Sequence, residues 1–175
     1  MSNISDSPAE LDSKRSAEDT GSQAKVFAAR MRLQKAVDQA DALDAIREIA
    51  ANLIGTEEIA VFKVDQRRSE LWLYWSFGVD PNRHSVLEVG REPKLKHVLS
   101  SGKPLFRLRL SNENLLSTED PVSALVPILV DGSPSAVIVL FRLFPHKPGI
   151  EPVDREICDV LSHCAGRAIE PYHSR

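Results

Sequence analysis

Two cysteines and five histidines are the side chains of this 175-residue sequence most suited to covalent or metal chemistry. Cys158 and Cys164 lie six apart in a stretch of helical periodicity, on different turns and faces, beyond easy disulfide reach. They are expected to stay reduced, Cys164 as a core residue and Cys158 at its flank. His163 adjoins Cys164, but the three side chains point in different directions around one helix. With no Cys-x-x-Cys and no His-x-His spacing, no metal site is expected. A glycine-rich phosphate loop, a kinase motif and a nucleophile elbow are all missing, so no catalytic residue and no cofactor are assigned.

Binding chemistry has more candidates. His84 and His97 fall in an irregular segment, residues 78–121, that would cover one side of a sheet. Arg107 and Arg109 share one parity of a strand, and Lys94, Lys96 and Lys103 are near them in sequence. Such a basic region suits an anionic ligand or an acidic partner, against the plainer reading of a solvated strand face. Trp72, Tyr74 and Trp75 form the densest aromatic group. Alternation places Trp72 and Tyr74 on one face and Leu71, Leu73 and Trp75 on the other, a core face with an edge contact or a ligand platform. No basic stripe accompanies the rings, so nucleic-acid stacking is not expected. The candidate ligand-binding residues are therefore Trp75, His84, His97, Arg107 and Arg109.

These residues must be positioned by elements legible in the hydrophobic pattern. Residues 1–22 are polar and charged, and are expected to be a disordered tail. Val26, Leu33, Ala36, Val37 and Ala40 predict a helix over residues 23–39, and Leu43, Ile46, Ile49, Ala50 and Leu53 a second, capped by Asp41 and ended by Gly55. Residues 59–64 and 70–77 read as a hairpin, 85–89 as a short strand, 93–101 as a short helix and 105–110 as an alternating strand. Residues 122–144 read as two strands about Asp131-Gly132-Ser133-Pro134. A last helix is predicted from Pro152 to about Ile169.

The two central strands, Ile128 to Val130 and Val137 to Leu140, are apolar on both parities, so both sheet faces must be covered. Pro127 lacks a backbone donor, which demands an edge or a bulge beside it. The pattern predicts an α+β domain over residues 23–172: a central antiparallel sheet of five to six strands with N- and C-terminal helices on one face. Composition agrees, with 42% hydrophobic and 27% charged residues and a net charge of −3 that recruits neither nucleic acid nor anionic lipid. No apolar run is long enough to span a membrane, and the first twenty residues lack an export signal, so the expected location is the cytoplasm.

In this order the segments resemble a GAF domain: the entry helix ending Leu53-Ile54-Gly55, the hairpin FKVDQRRSELWLYWSFG, the segment LKHVLSSGKPLF, the pair SALVPILVDGSPSAVIVLF with Ser123, Pro127 and Gly132, and the helix PVDREICDVLSHCAGRAIE. The resemblance implies a profilin-like sheet-and-helix fold, a ligand cavity under residues 78–121, and homodimerisation through the terminal helices, where Phe27, Met31 and Ile169 lie off the main stripes. It implies a non-catalytic signalling module that binds a small molecule or docks on another signalling protein. With no room for an output domain, its signal is expected to pass to another polypeptide. The rivals are a roadblock-like or profilin-like interaction scaffold and a thiol redox enzyme of the free methionine sulfoxide reductase type. The latter needs cysteines in the region 78–121, where this sequence has none. The Asn-Lys and Asp-Glu signature of cyclic-nucleotide binders is also missing.

Overall fold

A computed structural model describes residues 7–107 and 121–170 of the chain. The first helix, α1 (Pro8–Gln34), begins fifteen residues before the expected start at residue 23. Ser7 at its N-cap donates its N–H to the Glu10 carboxylate at 3.0 Å, and Pro8 needs no helical partner for its missing donor. The reasoning that predicted a disordered tail holds for burial alone: residues 7–21 are exposed. Once the turns around Ala29 and Leu33 are packed, extending the helix outward needs no new nucleus.

Helix α1 also stops earlier than expected, and Val37 is consequently 75% exposed instead of buried. The helix cap of α2 (Gln39–Ile49) is Asp38, whose carboxylate accepts the Asp41 N–H at 2.8 Å. Asp41, expected as the cap, serves the junction in another way. Its carboxylate accepts the Val37 N–H at 3.1 Å and meets Arg32 Nη2 at 2.9 Å, while Arg32 Nε reaches Glu48 at 2.6 Å. One guanidinium thus ties α1 to both ends of α2. These hydrogen bonds hold the Asp41 and Glu48 carboxyls below their ordinary range and Arg32 above its own.

After Ile49 the helix widens into a π-helical turn, Ala50–Ile54. The Gly55 and Thr56 N–H groups both close on the Ala50 carbonyl, at 2.7 and 3.0 Å. Gly55 sits at φ +102°, and an added Cβ there would come within 2.9 Å of Lys147 Cδ. Glycine is required on both counts.

The sheet is antiparallel and six-stranded: β1 (Ile59–Asp65), β2 (Glu70–Phe77), β3 (Val86–Glu88), β4 (Leu105–Phe106), β5 (Ala124–Val130) and β6 (Ser133–Leu140), in the order β3-β2-β1-β6-β5-β4. Beyond Phe106 the expected strand runs into residues 108–120, outside the described residues. Pro127 pairs with Val137, past the point where β4 ends on the outer side, and a register shift follows at Ile128/Leu129. Edge and bulge occur together, as a strand lacking a donor requires.

Apolar side chains fill both faces. On the first, Ile59, Val61, Val126, Ile128, Ile138 and Leu140 pack against α1, α2 and α4 (Pro152–Cys164). On the second, Phe62, Leu71, Leu125, Val137, Val139 and Phe141 pack with Leu87 and with Leu95 and Val98 of α3 (Pro93–Ser101). Among the described residues, no helix is long and apolar enough to cross a membrane.

Two outcomes test these supports. Gly55→Ala combines a strained backbone with a displaced lysine, and is expected to lower the unfolding free energy by about 2 kcal/mol in urea titration. The Asp41 and Glu48 carboxyls have lower pKa values folded than unfolded. Their stabilisation is therefore complete above the carboxylate range and is lost as pH falls through it. Arg32→Met is expected to flatten the acid limb of a stability–pH curve between about pH 5 and pH 3, and to leave the alkaline limb unchanged.

Candidate functional site

The second sheet face holds a buried histidine. His84, just before β3, is only 6% exposed and stacks on the Phe141 ring with centroids 5.4 Å apart and 30° between planes. Its ring is therefore committed to the apolar face. Phe141 is itself fixed by its backbone. Its N–H donates to the Glu58 carbonyl at 2.9 Å, and its carbonyl accepts the Ser123 hydroxyl at 2.6 Å.

Ser123 extends this line across the sheet. Its N–H donates to the Leu140 carbonyl at 2.8 Å, and its own carbonyl accepts the Arg107 N–H at 3.0 Å. Arg107 follows Leu105 by two residues, and Leu105 packs on the second face, so alternation gives Arg107 the same side as His84. A stacked ring and two hydrogen bonds thus connect His84 near one edge of the sheet with Arg107 at the other. Both belong to the end of the sheet marked by Phe106 and Ala124.

The other candidates part company with these two. Trp75 does not share a face with Leu71 and Leu73, because the β1–β2 register slips: Val61 faces Trp75 whereas Phe62 faces Leu73. The residue skipped, Tyr74, makes a bulge, and Trp75 packs on the helix side with the first core. Simple alternation cannot foresee such a slip. His97 lies on the exposed side of α3, where its carbonyl accepts the Ser100 hydroxyl at 3.1 Å. Arg109 lies outside the described residues.

The same bulge exposes a row of rings on the helix side of β2, each faced by a cation. Arg68 stands over Trp72 at 6.0 Å, Lys63 over Tyr74 at 3.8 Å and Arg47 over Phe77 at 5.1 Å. Parity predicted shared placement for Trp72 and Tyr74, but it did not reveal these cations, which come from α2, β1 and the β1–β2 turn.

Both cysteines belong to α4, on the helix side. Cys158 is fully buried in the first core, where desolvation, aided by the Asp154 charge, pushes its thiol far above the ordinary range. Cys164 is half-buried and borders two open grooves. One, of about 510 Å³, runs between α1 and α4 past Val26, Arg30, Asp159 and His163. The other, of about 420 Å³, lies by Leu33, Leu129, Val130 and Arg167. Among the described residues no group of three His, Cys, Asp or Glu side chains could hold a metal ion.

No family model matches the sequence, and no curated protein does. Solved structures do resemble it. A GAF domain/HD domain protein from Geobacter sulfurreducens superposes with a TM-score of 0.58 at 23% identity, covering 78% of this chain and 95% of its own. The GAF domain of an Acinetobacter phosphoenolpyruvate-protein phosphotransferase gives 0.60 at 17% identity, with coverages of 84% and 94%. A free methionine-R-sulfoxide reductase from Neisseria meningitidis, in complex with its substrate, gives 0.58 at 13% identity, with coverages of 84% and 89%. The shared feature is the whole arrangement of sheet and helices, at identities that carry no residue-by-residue equivalence. The chain has the fold of the GAF domains.

Proposed function

We propose that this chain is a non-catalytic regulatory module that binds a small molecule on the second sheet face, beside His84 and Arg107, and acts through its helices on other proteins. The observation that carries the reading is His84, an ionisable ring buried on an apolar face and aligned through Phe141 and Ser123 with the backbone of Arg107. An apolar floor with a few fixed polar groups is the ordinary form of a small-molecule site. An arginine of the same face suits an anionic ligand. Similarity in fold to domains of signalling proteins, including a methyl-accepting chemotaxis protein, supports a regulatory role.

The helical layer is the proposed output. Phe27 is 63% exposed on α1, and Val26 borders the groove between α1 and α4. A second copy of the chain, docked along these helices, would cover that surface, and another signalling protein would read the resulting state. The proposed location is the cytoplasm.

A thiol mechanism is not favoured. Cys158 is buried among apolar side chains on the wrong side of the sheet, and its thiolate is strongly disfavoured.

Two measurements check the reading. Native mass spectrometry of the purified protein is expected to give a mass exceeding the polypeptide by that of a bound small molecule, reduced in the His84→Ala variant. A dimer that carries no ligand in any preparation would support a scaffold instead. Under native conditions a thiol reagent is expected to modify Cys158 only at the rate of unfolding, and to modify the half-buried Cys164 faster. Rapid labelling of Cys158 in folded protein would reopen the redox reading.

A further inference from the structure

The segment from Phe141 to Asp154 crosses from one sheet face to the other. It starts on the second face, where Phe141 carries the His84 ring and receives the Ser123 hydroxyl. The Arg142 carbonyl accepts the Thr56 hydroxyl at 2.7 Å, and that same hydroxyl accepts the Glu58 N–H at 3.1 Å. Leu143 and Ile150 then pack on the first core, among the helices. Between them the Phe144 N–H donates to the Gly55 carbonyl at 2.8 Å, at the end of the π-helical turn.

The far end is bound more firmly still. Lys147 Nζ lies 2.8 Å and 2.7 Å from the two carboxylate oxygens of Asp154, with that carboxylate fully buried and the lysine nearly so. Asp154 also accepts the Glu151 N–H at 2.7 Å, at the start of α4. A charge pair this deep depends on both partners, since removing one strands the other without water. The lysine stem meanwhile lies against Gly55.

Stiffness distinguishes this segment from an ordinary connection. Pro145, Pro148 and Pro152 fall within eight residues, each fixing its own φ and restricting the residue before it. Gly149 interrupts the prolines, but with anchors at both ends and at Thr56 and Gly55 between them the segment passes a displacement along instead of absorbing it.

We propose that residues 141–154 are a stiff strap that couples the His84 face of the sheet to the start of α4 and the end of the π-helical turn. A ligand that moves the His84 ring moves Phe141. The strap then carries that movement through the Thr56 and Gly55 contacts to the Lys147–Asp154 pair. Helix α4 packs against α1 and β5, so the surface on which a partner would dock feels the state of the opposite face. The coupling deepens the ligand-face reading and rests on it for its purpose, but the mechanical link exists without any ligand.

Hydrogen–deuterium exchange on His84→Ala, resolved at single amides and run without ligand, tests it. The amides of Phe144, Lys147 and Glu151 are expected to exchange at least about fivefold faster than in the parent protein, with a smaller change across α3 on the second face. If β3 and α3 accelerate while the three strap amides do not, the disturbance is local and the strap is overturned. Uniform acceleration of the whole chain reports only global destabilisation and overturns it as well. Should His84→Ala fail to fold, Phe141→Leu removes the same stacking with less loss of volume and is read in the same way. Failure here leaves the mass-spectrometric test of ligand binding untouched, and a protein without ligand leaves this experiment unaffected.

Discussion

The structure depends on the pairing of β6 with β1 on one side and β5 on the other. Residues 59–62, 124–128 and 136–140 are all buried, so the three central strands offer apolar side chains to both faces at once. A sheet of this kind is stable only as the middle of three layers. Helices α1, α2 and α4 supply one cover. On the described part of the other face, α3, Leu87 and Val122 supply the second. Each remaining feature, including the placement of His84, follows from having to cover a sheet that has no solvent side at its centre.

Away from the centre the requirement relaxes, and the two edges differ. At the β2 edge a bulge turns Trp75 into the helical core and leaves Trp72, Tyr74 and Phe77 exposed with cations above them. Ring faces left in water attract guanidinium and ammonium groups, which keep their hydration on the other side. At the opposite edge β5 runs on past the short β4 with Pro127 in it, so a donor that the ladder would otherwise leave unpaired is missing from the start. Edge management by proline and by charge are two solutions to one problem.

Polar groups are spent where elements meet. Arg32 ties α1 to α2, Arg167 donates to the Ala36 carbonyl beyond the end of α1, and Lys147 joins the strap to α4. The buried Asp154 is tolerable because lysine and a backbone N–H satisfy it together. These ties make the helical layer a connected body, not three separately docked rods. A connected layer is what a change on the opposite face would need in order to reach the surface.

Most of the architecture was legible in the chain itself. The β1–β2 hairpin, the double-sided strands about Gly132, the short helix from Pro93 and the glycine end at Gly55 each follow from local sterics and hydrophobic period, and each is found. The candidate site was legible only in part. His84 was singled out from its segment, yet its stacking on Phe141 joins residues 57 positions apart, which no local pattern encodes. Trp75 was misplaced because one extra residue in a register reverses every side chain beyond it. The start of α1 was misjudged because a helix already nucleated by packing extends through residues that bury nothing. By itself, then, the sequence determined the elements, their order and the need for two covers. The tertiary structure decided which residues meet across the sheet, since register, stacking and buried ion pairs arise only between parts of the chain that folding brings together.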